Sequence, residues 1–405
     1  MVLIISAVFP PEPVVSAKLS YDLASELSSR YNVKVISPRP SRPFGFKFEP
    51  VTEKYTFKHK VIESYVCPQS SHLGRLRESY SFGKAARRYI IENRDEISVI
   101  YLITWPLFAQ YYVVREAEKH HIPVILHVQD VYPESLTNKY PICGSIINRI
   151  LLLVDKYTLK NSEAIIAISE KMGAYLIKTR RIENSKIYII PNWQDETSFY
   201  PQEEKLGSGR TGDEPFTFMY LGNIGPVAGV ELLIDAFTYD GLENSRLVIA
   251  GSGSMKADAI KRARKNQEAK IEFWDVPDGK VADVQTKADV LLLPIRKGIS
   301  ISSIPSKLPA YMFSAKPIIA SVENGHDIAN VITNSGCGWL VKPENEKELA
   351  SKMRFALSIE KQKLYEMGIK GRNYALENFS KQKNLQNLVQ ILEPIISREI
   401  AENPN

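Results

Sequence analysis

The chain has 405 residues, 44% hydrophobic and 24% charged, which allows two or three domains with full cores and excludes disordered, collagen-like and disulfide-scaffold classes. The net charge of +6 is lopsided: residues 1–195 carry 26 Lys and Arg against 19 Asp and Glu, the remainder 26 against 27. The first half therefore suits an anionic partner, whether membrane surface, phosphate or nucleic acid, and three scattered cysteines without a CxxC suggest neither zinc nor a disulfide framework.

The opening MVLIISAVF lacks a basic start and a cleavage site and runs into Pro10-Pro11. It reads as a buried first strand, Val2–Val8, not as a signal peptide. No segment reaches the roughly 20 apolar residues of a transmembrane helix, so a cytoplasmic protein, at most peripheral on the inner face of the membrane, is expected. Ala17–Tyr31 places Leu19, Leu23, Ala24 and Leu27 on one face, the spacing of a helix packed on a sheet. Apolar strands follow at Val33–Ser37, Val99–Ile103, Val124–Val128, Ala164–Ile168 and Ile187–Ile190, with amphipathic segments between. Residues 195–215 read as a linker. The alternation then restarts with strands at Thr217–Leu221, Arg246–Ala250, Val290–Pro294, Pro317–Ala320 and Gly338–Val341, and the chain closes in helices. This predicts an α/β chain of two Rossmann-like, doubly wound domains, 1–195 and 196–380, facing an interdomain cleft, with 381–405 as a final helix.

Candidate chemistry gathers where strands end. Ser16 is a plausible N-cap where the first strand turns into a helix, a geometry that attracts anions. After Val124–Leu126 come Asp130 and Glu134, which could orient sugar hydroxyls or act as a base; His127 reads as a near-core histidine. Gly222, Asn223 and Gly225 follow a strand, where glycines let backbone approach a phosphate. Gly251-Ser-Gly253 resembles a dinucleotide fingerprint but has Lys256 at the third glycine position. No Walker sequence and no D-x-D occur, so no metal is expected. Ser306 and Lys307 at a helix start form a phosphate-binding arrangement that Arg296 could share. Arg75, Arg77, Lys84, Arg87 and Arg88 interleave with Leu73, Leu76, Tyr80, Phe82 and Tyr89. That segment could lie on an anionic bilayer, grip a lipid diphosphate, or be a solvated helix; no nucleic-acid recognition motif accompanies it.

Taken in order, FPPE, DVYPES, IPN, YLGNIG, AGSG, ADVLLLP, PSKLxxYMxxxKPIIAS and GCGWLVxPE resemble the GT-B glycosyltransferases of family 4, in the bacterial subgroup that makes capsule, O-antigen or colanic-acid-type polysaccharide. The resemblance implies an N-terminal acceptor domain, a C-terminal sugar-nucleotide domain, and a last helix crossing back to the first domain. It implies metal-independent transfer with retained anomeric configuration and no cofactor. By position, Gly222, Asn223 and Gly225 line the donor diphosphate, Phe273, Trp274 and Val276 meet the base, and Ser303, Ile304, Pro305, Ser306 and Lys307 cover the phosphates and sugar. The loop around Pro13–Ser16 faces the diphosphate from the other side. Asp130 matches the subgroup's aspartate, while Gln129 replaces a histidine common in the family. The family's two glutamates fall at Ser302 and Ala310, and its diphosphate-holding Arg and Lys at Asn223 and Ala228. Lys307, with Arg296, must then supply the cation. The expected function is transfer from a nucleoside-diphosphate sugar, a UDP-sugar, to a lipid-linked or saccharide acceptor in surface polysaccharide synthesis. The alternative is a weakened or inactive relative that binds a nucleotide sugar or a partner protein.

Overall fold

The computed structural model describes every residue except 43–47, 49–53, 68–70, 104–106, 138–143, 200–214, 227, 267, 278, 299–303 and 403–405. Two compact units form, Met1–Asn192 with Asn384–Asn405, and Trp193–Lys383.

The first unit is built on a seven-stranded sheet: β1 (Val2–Ile5), β2 (Val33–Ser37), β3 (Lys58–Val61), β4 (Val99–Ile103), β5 (Val124–Val128), β6 (Ala164–Ala167) and β7 (Ile187–Ile189). The order is β3-β2-β1-β4-β5-β6-β7 and every pairing is parallel. Val2 sits opposite both Val33 and Val99. β1, β4, β5 and β6 are buried at every position, as strands covered by helices on both faces must be. Winding reverses between β1 and β4, so the loops leaving those strands flank the crevice where such sheets bind ligands.

The second unit repeats the plan with six strands: β8 (Phe216–Leu221), β9 (Ser245–Ala250), β10 (Ile271–Trp274), β11 (Val290–Pro294), β12 (Ile318–Ser321) and β13 (Gly338–Val341), ordered β10-β9-β8-β11-β12-β13, again all parallel. Here the winding reverses between β8 and β11, which places the Gly222 loop and Pro294 side by side at the switch. In the last helix, Lys381–Glu402, Leu388, Leu392 and Ile396 are buried. Ion pairs Arg30–Glu393 and Arg398–Glu163 tie that helix to the first unit.

Candidate functional site

In the second unit the end of β8 is held in place by a neighbouring helix, Lys307–Phe313. Its buried Tyr311 hydroxyl accepts from the Leu221 N–H at 2.8 Å and donates to the Leu221 carbonyl at 2.9 Å. One residue earlier, the Tyr220 hydroxyl donates to the Asn223 carbonyl at 2.6 Å. The same hydroxyl accepts from Lys307 Nζ, which also lies 4.4 Å from the centre of the Tyr220 ring. Lys307 runs directly over Gly222: a Cβ there would sit 2.2 Å from Lys307 Cε. The φ of Gly222, +150°, is one that residues with a side chain rarely adopt, and the lysine lies over the open face that results. Burial lowers the Lys307 pKa to about 8, since a desolvated ammonium loses hydration that the neutral amine never had. An anion brought to this place would meet a preorganised cation and regain that lost solvation.

The second glycine pair has a structural task. A Cβ on Gly251 would lie 2.2 Å from the Gly222 carbonyl oxygen, and one on Gly253 2.4 Å from that of Ile224. The two loops pack backbone on backbone, joined by the Ile224 N–H to the Ser252 carbonyl at 2.8 Å. Asn223 has its carbonyl engaged by Tyr220, and its amide lies against Gly225 and Gly253.

The other donor-side candidates are distributed around this point. Arg296 is paired with Glu231 beside a cavity of about 250 Å³ lined by Gly229, Asp235, Pro294 and Glu344. Both side chains of that pair are exposed to solvent. Trp274 donates from Nε1 to Glu272 at 2.8 Å and has Arg246 and Lys287 over its ring. With Val276 and Ile304 it packs on the core. Pro305 accepts from the Leu308 N–H at 3.0 Å, and the Ser306 side chain is exposed and makes no cap bond. Ser303 lies outside the described residues.

In the first unit the helix after β1 runs Val15–Ser28 with Val14 as its N-cap, so Ser16 is not the cap that the sequence suggested; it lies in the first turn, and its hydroxyl donates to Gln129 Oε1 just beyond β5. Asp130 Oδ1 accepts the Val131 N–H at 2.9 Å. Near it, the Tyr132 phenol has its pKa raised by burial and by the Asp130 charge. Glu12 fixes the adjoining loop, accepting from the backbone of Phe9, Ser41 and Arg42, while Arg42 pairs with Glu78 at 3.0 Å. Among the basic candidates, Arg87 pairs with Glu116 at 2.6 Å, Arg77 lies 4.2 Å over the Tyr65 ring, and Lys84 4.7 Å over Tyr80. Arg75 is half-buried and Arg88 exposed.

Glu134 is engaged within the fold. Each of its oxygens accepts from Arg180 at 2.6 Å, and Oε1 also accepts from the Tyr175 hydroxyl at 2.9 Å. Arg180 is fully buried and also binds Asp155 at 2.7 Å. Burial would raise the Glu134 pKa, but Arg180 outweighs it and holds the carboxyl low. A carboxylate so engaged anchors its loop. The sequence reading missed Arg180, Tyr220 and Glu12, whose partners lie far away along the chain or whose polar atoms sit inside apolar runs.

His127 is fully buried, its Nδ1 2.7 Å from the Tyr101 hydroxyl, and burial lowers its pKa to about 3. Because the folded value is depressed, the contribution is complete above the unfolded pKa near 6.5 and is lost as pH falls toward 3. The unfolding free energy is expected to fall by about 1.4 kcal/mol per pH unit from this group across that window. Urea denaturation from neutral to acid pH measures it. His127→Gln should flatten that slope; an unchanged slope would contradict this account.

Among the described residues, no group of three or more His, Cys, Asp or Glu is placed to hold a metal ion. Residues 17–197 match the model of Glycosyltransferase Family 4, and residues 215–358 that of Glycosyl transferases group 1. Glycosyltransferase WbjE of Pseudomonas aeruginosa is 25% identical over 67% of this chain and 68% of its own. The colanic acid biosynthesis glycosyl transferase WcaI of Escherichia coli (strain K12) is 23% identical over 65% and 66%. Among solved structures, Anabaena Alr3699/HepE in complex with UDP superposes with a TM-score of 0.73 at 15% identity, covering 97% of this chain and 99% of that one. That likeness shows the GT-B fold.

Proposed function

The chain belongs to the glycosyltransferases of family 4, and from that premise we propose that it transfers a sugar from a UDP-sugar to a lipid-linked or saccharide acceptor in surface polysaccharide synthesis, with retention. The observation that carries this reading is Lys307, a half-buried cation laid over Gly222 at the switch point of the second sheet. A nucleoside diphosphate is the leaving group that such a cation suits. The bond from the anomeric carbon to the diphosphate oxygen breaks, and the bond to the acceptor oxygen forms on the same face. The departing phosphate oxygen takes the acceptor's proton, so no side-chain base is needed, consistent with the commitment of Glu134 to Arg180. Charge building on the diphosphate is the main quantity to stabilise, and Lys307 with the glycine-loop backbone does so without cofactor or metal. UDP, rather than another nucleotide, is favoured by the UDP found with the Anabaena structure. Asp130 orients the acceptor or the transferred sugar, and the basic helix around Arg75–Arg88 meets an anionic membrane.

A second reading, a nucleotide-sugar-binding protein with little turnover, is favoured by Ala310. It is buried on the helix that carries Lys307, at the position of the family's second glutamate, and offers no carboxylate to a ribose. One experiment separates the two. The purified chain is incubated with a panel of UDP- and GDP-sugars together with lipid-linked and free saccharide acceptors, and nucleoside diphosphate release and UDP binding are followed. Release with a UDP-sugar is expected. Binding without release supports the second reading, and neither binding nor release overturns both.

A further inference from the structure

In the first unit, helices 72–93, 107–119 and 144–160 pack side by side. The strands they serve are parallel, so all three begin at the carboxyl edge of the sheet, the edge that carries Asp130. Near that edge, apolar side chains stand in water. Leu73 is 81% exposed, Ile150 60% and Leu153 67%, and Ile147 extends the stripe at helical spacing. Further along the helices a row of tyrosines crosses all three. Ring centroids are 5.6 Å apart for Tyr80 and Tyr112, 5.8 Å for Tyr112 and Tyr111, and 5.3 Å for Tyr111 and Tyr157. Cations lie over this row, Lys84 on Tyr80 and Arg115 on Tyr111.

The charge is one-sided. The three helices carry ten Lys and Arg against five Asp and Glu. Three of those acids are already taken: Glu78 by Arg42, Glu116 by Arg87 and Asp155 by Arg180. Exposed alkyl groups, amphipathic rings and long cations together make the composition of a surface that seats on an anionic bilayer interface.

We propose that this three-helix face docks on an anionic bilayer, with Leu73 and the stripe Ile147, Ile150, Leu153 as the inserting edge. It rests on the membrane part of the function proposed above and adds helix 144–160, which the sequence did not single out. It also sets the loop bearing Asp130 at the lipid surface, where a lipid-linked acceptor would present its sugar. A second copy of the chain would cover the stripe only by bringing two positive faces together, so the charge favours the bilayer.

The test is flotation of the full chain with phosphatidylcholine vesicles, with and without phosphatidylglycerol. Binding to the anionic vesicles only, weakening with salt, is expected. The pair Ile150→Ser and Leu153→Ser should lose roughly tenfold or more in binding while melting as the wild type does and releasing UDP from soluble donor at the wild-type rate. The pair Lys84→Glu and Arg115→Glu should lose binding together with its salt dependence. An Ile150→Trp variant should shift its emission to the blue on anionic vesicles. The proposal is overturned if the wild type ignores anionic vesicles or if the apolar pair binds them unchanged. It is equally overturned if the wild type is a dimer that the apolar pair makes monomeric. Vesicle binding needs no nucleotide, so loss of donor turnover with binding intact would count against the transferase reading and leave this one standing.

Discussion

Lys307→Met is expected to lower sugar-transfer turnover by about 10²–10³-fold and to leave the fold intact. Methionine keeps an unbranched chain of similar reach over Gly222, and removing a half-buried ammonium relieves a desolvation cost. What disappears is the charge that meets the leaving diphosphate. The pH dependence gives a second, independent reading. Burial has moved the Lys307 pKa down from 10.5 to about 8, so in the free enzyme the cation is present below that value and lost above it. The kcat/KM profile should therefore fall on its alkaline side near pH 8. Lys307→Arg, whose guanidinium stays charged, should carry that limb to higher pH. Tyr220→Phe removes the hydroxyl that Nζ donates to and should raise the donor KM more than it lowers kcat, since it positions Lys307 without touching substrate. Wild-type turnover in Lys307→Met, or an unmoved alkaline limb in Lys307→Arg, would remove Lys307 from the mechanism.

The repeated strand–helix alternation was readable because the central strands of both sheets are buried on two faces and have to be apolar throughout, as in Val2–Ile5 and Val290–Pro294. The strands that escaped notice are edge strands. Lys58–Val61 is largely exposed and reads as a polar loop, and Ile271–Trp274 is only half-buried. The site was legible where backbone imposes a residue type. Gly222 favours glycine because its φ of +150° is one that residues with a side chain rarely adopt. At Gly251 and Gly253, where Lys256 already breaks the dinucleotide fingerprint, the glycines serve a close approach to the neighbouring loop. Side-chain commitments were not legible at all. Tyr220 looks like one more core residue of an apolar strand, and nothing near Glu134 or Arg296 in sequence announces that Arg180 and Glu231 will occupy them.

Arg180→Met is expected to destabilise the first unit by about 3–5 kcal/mol, the usual cost of removing one partner from a buried ion cluster. Arg180 is 0% exposed and donates to Asp155, to both oxygens of Glu134 and to the Tyr132 carbonyl. Without it, the buried Asp155 and the half-buried Glu134 are left without their shared cation. Lysine cannot replace it, since one ammonium cannot span acceptors arranged around a planar fork. The loss should depend on pH in a definite direction. Burial already pushes Asp155 up to about 6 against the pull of Arg180. Removing the cation raises it further, so the folded variant takes up a proton more readily than the unfolded chain does. Its stability is then greatest in acid and is lost as pH rises through the folded value. Denaturant titrations should find the gap from wild type larger near pH 8 than near pH 5. Adding Asp155→Leu should recover part of it by replacing a stranded carboxylate with packing. A small, pH-independent loss would mean that the cluster contributes little. Because the same guanidinium grips Tyr132 and Glu134, the loop from Asp130 to Glu134 loses its anchor together with the charge, and acceptor KM should rise even at a pH where the variant remains folded.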